Sequence, residues 1–137
     1  MKEEAVRDIL VKNHIPYAMH GTLYGTIIAS VGAYQNGLGT IMHTMKDHIL
    51  HFNSQGMAII AIDDHNGTLR EETLTYIRKE HVQSSGISIH PLTFLLTIQT
   101  DKGELKYKIR KQILGSPWHK ENLAWLLLHQ VDQEHEV

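Results

Sequence analysis

Eleven histidines, fifteen carboxylates and no cysteine set the chemistry open to this 137-residue chain. Without thiols there are no disulfides, thiolate metal sites or cysteine nucleophiles. Histidine is the remaining soft ligand, and a zinc or iron site needs several rings converging with partners that orient them. The densest group is His43, His48 and His51. If His48–Phe52 is a strand, His48 and His51 project to opposite faces, which argues against a shared metal. His81 lies in KEHVQS, not in a zinc-helix HExxH. The IDDHNG stretch fails as an EF-hand loop. With Gly67 sixth, positions one and twelve are Ile62 and Thr73 rather than carboxylates, so Asp63–Gly67 is read as a hairpin turn. No G-x-S-x-G elbow and no P-loop lysine occur, and the serines at 30, 54, 84, 85, 88 and 116 have no activating context. The reading assigns no catalytic residue, cofactor or metal.

Charge is placed more informatively than it is totalled. A net charge of -2 with neutral histidine gives no reason to expect nucleic acid. In LTFLLTIQTDKGELKYKIRK, however, Leu92, Phe94, Leu96, Ile98, Leu105, Tyr107 and Ile109 alternate with polar residues. The period is two, so Lys106, Lys108 and Arg110 project from one face of a hairpin, with Lys102 at its turn and Lys111 at its exit. These five are the candidate contacts for an anionic surface; a solvated outer face is the alternative. From Asn13 to Met45 there is no charged residue, but glycines and Pro16 interrupt the run, so a membrane span is not expected. Leu23, Tyr24, Ile27 and Tyr34 in this stretch are the candidate self-association residues. A buried sheet segment is the competing account of the same composition.

The elements that would position these residues follow from periodicity. Lys2–Lys12 reads as a helix ended before Pro16. Strands are expected at Ala18–Leu23, Thr26–Ala33, Thr40–Met45, His48–Phe52, Met57–Ile62, Leu74–Lys79, Ile87–Thr100 and Glu104–Lys111, separated by turn residues. Ser116 as N-cap and Pro117 then open a C-terminal helix. Its expected buried face is Trp118, Ala124, Trp125, Leu127, Leu128 and Val131, plugging an antiparallel sandwich or barrel. The fold class is mainly β, with one domain (residues 1–14 a helix, 15–137 the β body).

Three stretches, TLREETLTYIRKEHVQSSGIS, LTFLLTIQTDKGELKYKIRK and SPWHKENLAWLLLHQ, together resemble the bacterial pleckstrin-homology-like proteins over roughly Ile15–Val131. Lys2–Asn13 lies outside the resemblance. It implies an antiparallel β sandwich closed by a C-terminal helix and a non-enzymatic binding or assembly module that binds protein or self-associates. Phosphoinositide binding does not carry over, because the Asn13–Met45 region lacks the required Lys and Arg donors. Two alternatives remain: peripheral contact with an anionic membrane through the basic hairpin, and a small flavin-dependent split-barrel enzyme. The absence of cysteine and of a signal peptide fits a cytoplasmic setting.

Overall fold

The structure is a computed structural model. It describes the backbone of residues 1–32 and 45–136 and the side chains of residues 1–28 and 45–129. The expected strand Thr40–Met45 lies outside the described residues but for its last position, and Tyr34 and His43 lie wholly outside them.

Helix α1 spans Glu3–Lys12, with Glu3 and Glu4 in its first turn and Lys12 in its last, each on the side the helix dipole favours. Val6 and Leu10, four residues apart, are fully buried. The helix stops in a Schellman turn: the Ile15 N–H bonds the Leu10 carbonyl (2.9 Å) and the His14 N–H bonds the Val11 carbonyl (3.1 Å). That turn puts His14 at φ +59°, where glycine is the usual occupant and a side chain costs about 1 kcal/mol or more.

Seven strands follow: β1 (Thr22–Gly32), β2 (Asp47–Asn53), β3 (Gly56–Ile62), β4 (Leu69–Arg78), β5 (Val82–Ile89), β6 (Thr93–Thr100) and β7 (Gly103–Arg110). They form one antiparallel sheet in the order β4-β3-β2-β1-β7-β6-β5. β4 and β5 do not pair, so the sheet is not closed into a barrel. Helix α2 covers Pro117–Glu136.

Two expected strands, Ala18–Leu23 and Thr26–Ala33, give way to the single strand β1, which begins only at Thr22 and runs unbroken through Gly25. Gly25 does not turn the chain there. It pairs with His48, and a Cβ on it would come within 3.0 Å of the Tyr107 ring, so its role is to let that ring approach. The expected strand Ile87–Thr100 is instead β5 and β6, parted at Pro91, which has no N–H for a ladder. The His90 N–H bonds the Thr93 carbonyl across this turn. Asp63–Gly67 is the expected turn between β3 and β4. The Asp63 carboxylate accepts the His65 N–H, and Gly67 stands at φ +71°.

The sheet has a core on each face. Leu23, Leu50, Met57, Ile59 and Ile77 from one half meet Phe94, Leu96, Ile98, Leu105, Tyr107 and Ile109 from the other, in a sandwich-like core that Leu123 of α2 joins. On the opposite face, α1 lays Val6 and Leu10 over Ile49, Ala58, Ile60 and Ile62. The N-terminal helix is therefore integral to a second core.

The helix α2 turns a face toward the sheet that differs from the expected one. Inside lie His119, Asn122 and Leu123, all buried, with Leu126 and Leu127 partly so. Trp125 is 37% exposed, Leu128 is 62% exposed and Ala124 is exposed. The reason lies in β1. It pairs with β7 only from Thr26 onward, which leaves its first backbone groups on that side without a strand. The helix supplies the partners. The Tyr24 N–H donates to His119 Nδ1 (3.0 Å), His119 Nε2–H donates to the Arg110 carbonyl (2.6 Å), and Asn122 Nδ2–H donates to the Thr22 carbonyl (2.9 Å). Buried backbone groups need partners, so polar side chains take the inner positions.

Candidate functional site

The hairpin of β6 and β7 has the two faces its alternation predicts. Phe94, Leu96, Ile98, Leu105, Tyr107 and Ile109 are buried, while Leu92, beyond the strand, is exposed. Lys106 and Lys108 are half-buried and Arg110 is exposed on the other face, with Lys102 and Lys111 exposed at the two ends. The strip is a single strand wide. Its neighbours in register are Thr97, Leu95 and Thr93 on β6, and Thr26 beside Lys108 on β1. Part of its charge is already engaged: Lys106 Nζ lies 3.6 Å from the Glu104 carboxylate, and Lys111 Nζ donates to the Pro91 carbonyl at 3.0 Å.

Of the candidate self-association residues, the three described ones, Leu23, Tyr24 and Ile27, do not lie together on an open surface. Leu23 is buried in the sandwich core, and Ile27 packs partly against it. Tyr24 is half-buried against the second core, where burial raises the pKa of its phenol.

Among the nine histidines whose side chains are described, His48, His51 and His119 are fully buried rather than scattered on the surface. His48 and His51 do face opposite sides of β2, and both are buried because each side of the sheet is covered. His51 Nε2 accepts the Ala18 N–H (3.0 Å) while its Nδ1–H donates to the Thr22 hydroxyl (2.8 Å). His48 Nε2–H donates to the Met45 carbonyl (2.7 Å), and its Nδ1 accepts the Tyr107 hydroxyl proton (2.8 Å). His119 joins β1 to β7 as described. Each ring is thus held neutral in one tautomer, and burial lowers all three pKa values, that of His51 to about 4. Both nitrogens of each ring serve the fold. Among the described residues no three His, Asp or Glu side chains are grouped to hold a metal ion.

Sequence reasoning missed the edge of the sheet. Strands β4 and β5 are its two margins. β4 carries Arg70, Glu71, Glu72 and Arg78, and Lys12 and Asn13 at the end of α1 bond Glu71. Charges and a covering element are the usual protection of a sheet edge. β5 reads VQSSGISI, with no charge and no proline, and is mostly exposed. Beside it opens an apolar crevice of about 240 Å³. Ser85 and Ile87 of β5 form one wall and Trp125, Leu126 and His129 of α2 the other, with Leu23, Phe52 and Leu96 also lining it. The Trp125 indole at its rim stacks between His129 (3.6 Å) and His20 (5.3 Å). The legible signal was the lack of any charge between Val82 and Ile89.

Comparison of the chain with protein-family models, with curated proteins and with solved structures yields no match.

Proposed function

We propose that this chain is a non-enzymatic binding module of the pleckstrin-homology-like kind, and that it takes an extended segment of a partner protein along β5. The observation that carries this is the uncharged β5 edge, which pairs with no second strand among the described residues and lies beside an apolar crevice. An added strand satisfies the free backbone groups of an edge, and pockets for alternate side chains supply selectivity. The crevice exceeds the cavity of about 150 Å³ that holds a benzene molecule elsewhere, so it accommodates one large aliphatic or aromatic side chain. The segment that fits has apolar residues at alternate positions and little charge. Seven antiparallel strands and a C-terminal helix are the elements that such a module would have.

The test is selection from a random peptide display library, followed by amide hydrogen exchange of the complex. Enriched peptides should share alternating apolar positions and slow exchange in Val82–Ile89. Ser85→Lys, which turns a charge toward the crevice, should abolish binding without lowering Tm by more than a few degrees. Peptides that bind the Ser85→Lys protein equally well, or protection that spares β5, refute the assignment. A mass by light scattering that doubles with concentration and reverts in Ser85→Lys would make the occupant a second copy of the chain.

A second reading, peripheral contact with an anionic membrane, is favoured by the alignment of Lys106, Lys108 and Arg110 on one face. Each basic residue near such a surface contributes about 1 kcal/mol, screened over roughly 8–10 Å at ordinary salt. Co-sedimentation with phosphatidylserine vesicles at low salt, lost in Lys106→Glu/Lys108→Glu, is the expected result. Equal sedimentation of the two proteins removes this reading.

A further inference from the structure

A cleft of about 610 Å³ opens elsewhere on the molecule, and no residue of β5 or of the basic hairpin lines it. It lies between the segment that leaves α1 and the end of β4. Its volume falls in the range of about 300–1,000 Å³ typical of small-ligand sites.

Its lining has two characters. Ile15, Leu74 and Tyr76 are buried or half-buried and belong to the second core, so they form an apolar floor. Tyr76 is fixed there, its hydroxyl donating to the Asn53 amide oxygen (3.1 Å), while Asn53 in turn bonds the Pro16 carbonyl (2.8 Å). Arg78 and Lys79 stand exposed on the rim. Neither takes part in an ion pair among the described residues. Lys79 is held in place by its backbone N–H, which donates to the Gln55 carbonyl at 2.8 Å. One carboxylate, Glu80, shares this rim. The nearby Glu71 is already bonded by Lys12 and Asn13.

His14 supplies an independent observation. It occupies the left-handed position of the α1 terminus, where glycine or asparagine is the ordinary residue, and it lines the cleft. Strained backbone at a non-glycine residue tends to persist where the side chain has a use. An imidazole here adds a third nitrogen donor to the guanidinium and ammonium of Arg78 and Lys79.

We propose that this cleft binds a small amphipathic anion, a ring or short chain bearing one phosphate or carboxylate. Its apolar body would lie on Ile15, Leu74 and Tyr76. Its anionic oxygens would accept hydrogen bonds from Arg78, Lys79 and His14. An arginine fork matches the geometry of such oxygens and a lysine adds a mobile charge. Because one carboxylate stands on the same rim, the site favours a single phosphate or carboxylate over a polyphosphate.

The experiment is an NMR titration of the full chain with phenyl phosphate and with benzoate, and with inorganic phosphate and phenol as separate halves. Saturable amide shifts confined to residues 13–16 and 74–80 are expected for at least one of the two whole probes, with each half binding at least tenfold more weakly. Arg78→Gln/Lys79→Gln should weaken that probe at least tenfold. His14→Gly should raise Tm, by relieving the backbone, and still weaken binding severalfold; a residue kept for structure alone would not split the two readouts this way. Absence of a saturable shift with both whole probes overturns the proposal. So does an affinity unchanged in His14→Gly, or inorganic phosphate binding as tightly as phenyl phosphate.

Discussion

His51 accepts a hydrogen bond from the Ala18 N–H at one nitrogen and donates one to the Thr22 hydroxyl from the other, so a second proton on its ring would set donor against donor. The same holds for His119 facing the Tyr24 amide. For His48 a second proton would displace the hydroxyl proton of Tyr107. Unfolded histidine titrates near about 6.5, and folded His51 near about 4. The unfolded chain therefore binds more protons than the native one in this window. Stability is full above about pH 6.5 and is lost as pH falls toward the folded value. Each such histidine contributes a slope of about 1.4 kcal/mol per pH unit while only its unfolded form is protonated, so His51 alone accounts for about 3 kcal/mol between pH 6.5 and 4. Urea midpoints at pH 7.5, 6 and 4.5 should fall in that order, and a flat series would contradict the neutral-ring assignment. His119→Ala should cost about 2–5 kcal/mol at neutral pH. It leaves the partly buried Tyr24 N–H and Arg110 carbonyl without their partner, at about 1–2.5 kcal/mol for each. Equilibrium unfolding at pH 7.5 measures it. None of these roles was legible in the sequence. A histidine reads the same whether it replaces a rung of a ladder or lies in water, and the distinction depends on strand ends brought together by folding.

At the scale of elements, β7 and the turn that joins it to β6 were legible almost residue by residue. Period two, the Asp101-Lys102-Gly103 turn and the apolar alternation all point to one structure. The helix α2 was legible in its start and not in its orientation. Ser116 and Pro117 announce its beginning, but the most apolar stripe, through Trp125 and Leu128, is not the buried one. The inner stripe runs through His119, Asn122, Leu123 and Leu126, spaced as one helix face, and two of its four members are polar because β1 needs them. Leu123→Ala should therefore cost about 2–5 kcal/mol, whereas Leu128→Ala should stay within about 0.5 kcal/mol. Denaturant melts of the two variants decide between the faces, and a larger loss at Leu128 would reverse the assignment. The turn at Pro91 and the continuity of β1 through Gly25 were misread for one reason. Proline and glycine punctuate by geometry, and the sequence does not say which of the two ends a strand until the neighbouring strands are known.

For the molecule as a whole, α1 matters beyond its length. Leu10 is fully buried among Ile49, Ile60 and Ile62, so the sheet is covered on this side by residues that the resemblance left outside the domain. Leu10→Ala should cost about 2–5 kcal/mol. A chain lacking residues 1–12 should expose an apolar sheet face and elute as aggregate in size-exclusion chromatography; a stable monomer would show the helix to be dispensable. The sheet order has a kinetic consequence as well. β2, β3 and β4 follow one another as hairpins, and so do β5, β6 and β7, so each group of three can assemble from local contacts. Among the described strands only β1 joins them, pairing Thr26 with Asp47 on one side and with Lys108, near the other end of the chain, on the other. Closing that long loop is the slow event, since distant pairings must be reached before they repay their entropy. Refolding is expected on the millisecond-to-second scale. In stopped-flow traces, Leu105→Ala in β7 should therefore slow folding, and an effect confined to the unfolding rate would overturn this order of events. The strand that comes first from the sequence is then the last clasp of the fold, and until it closes the chain presents two half-sheets with four open edges in place of two.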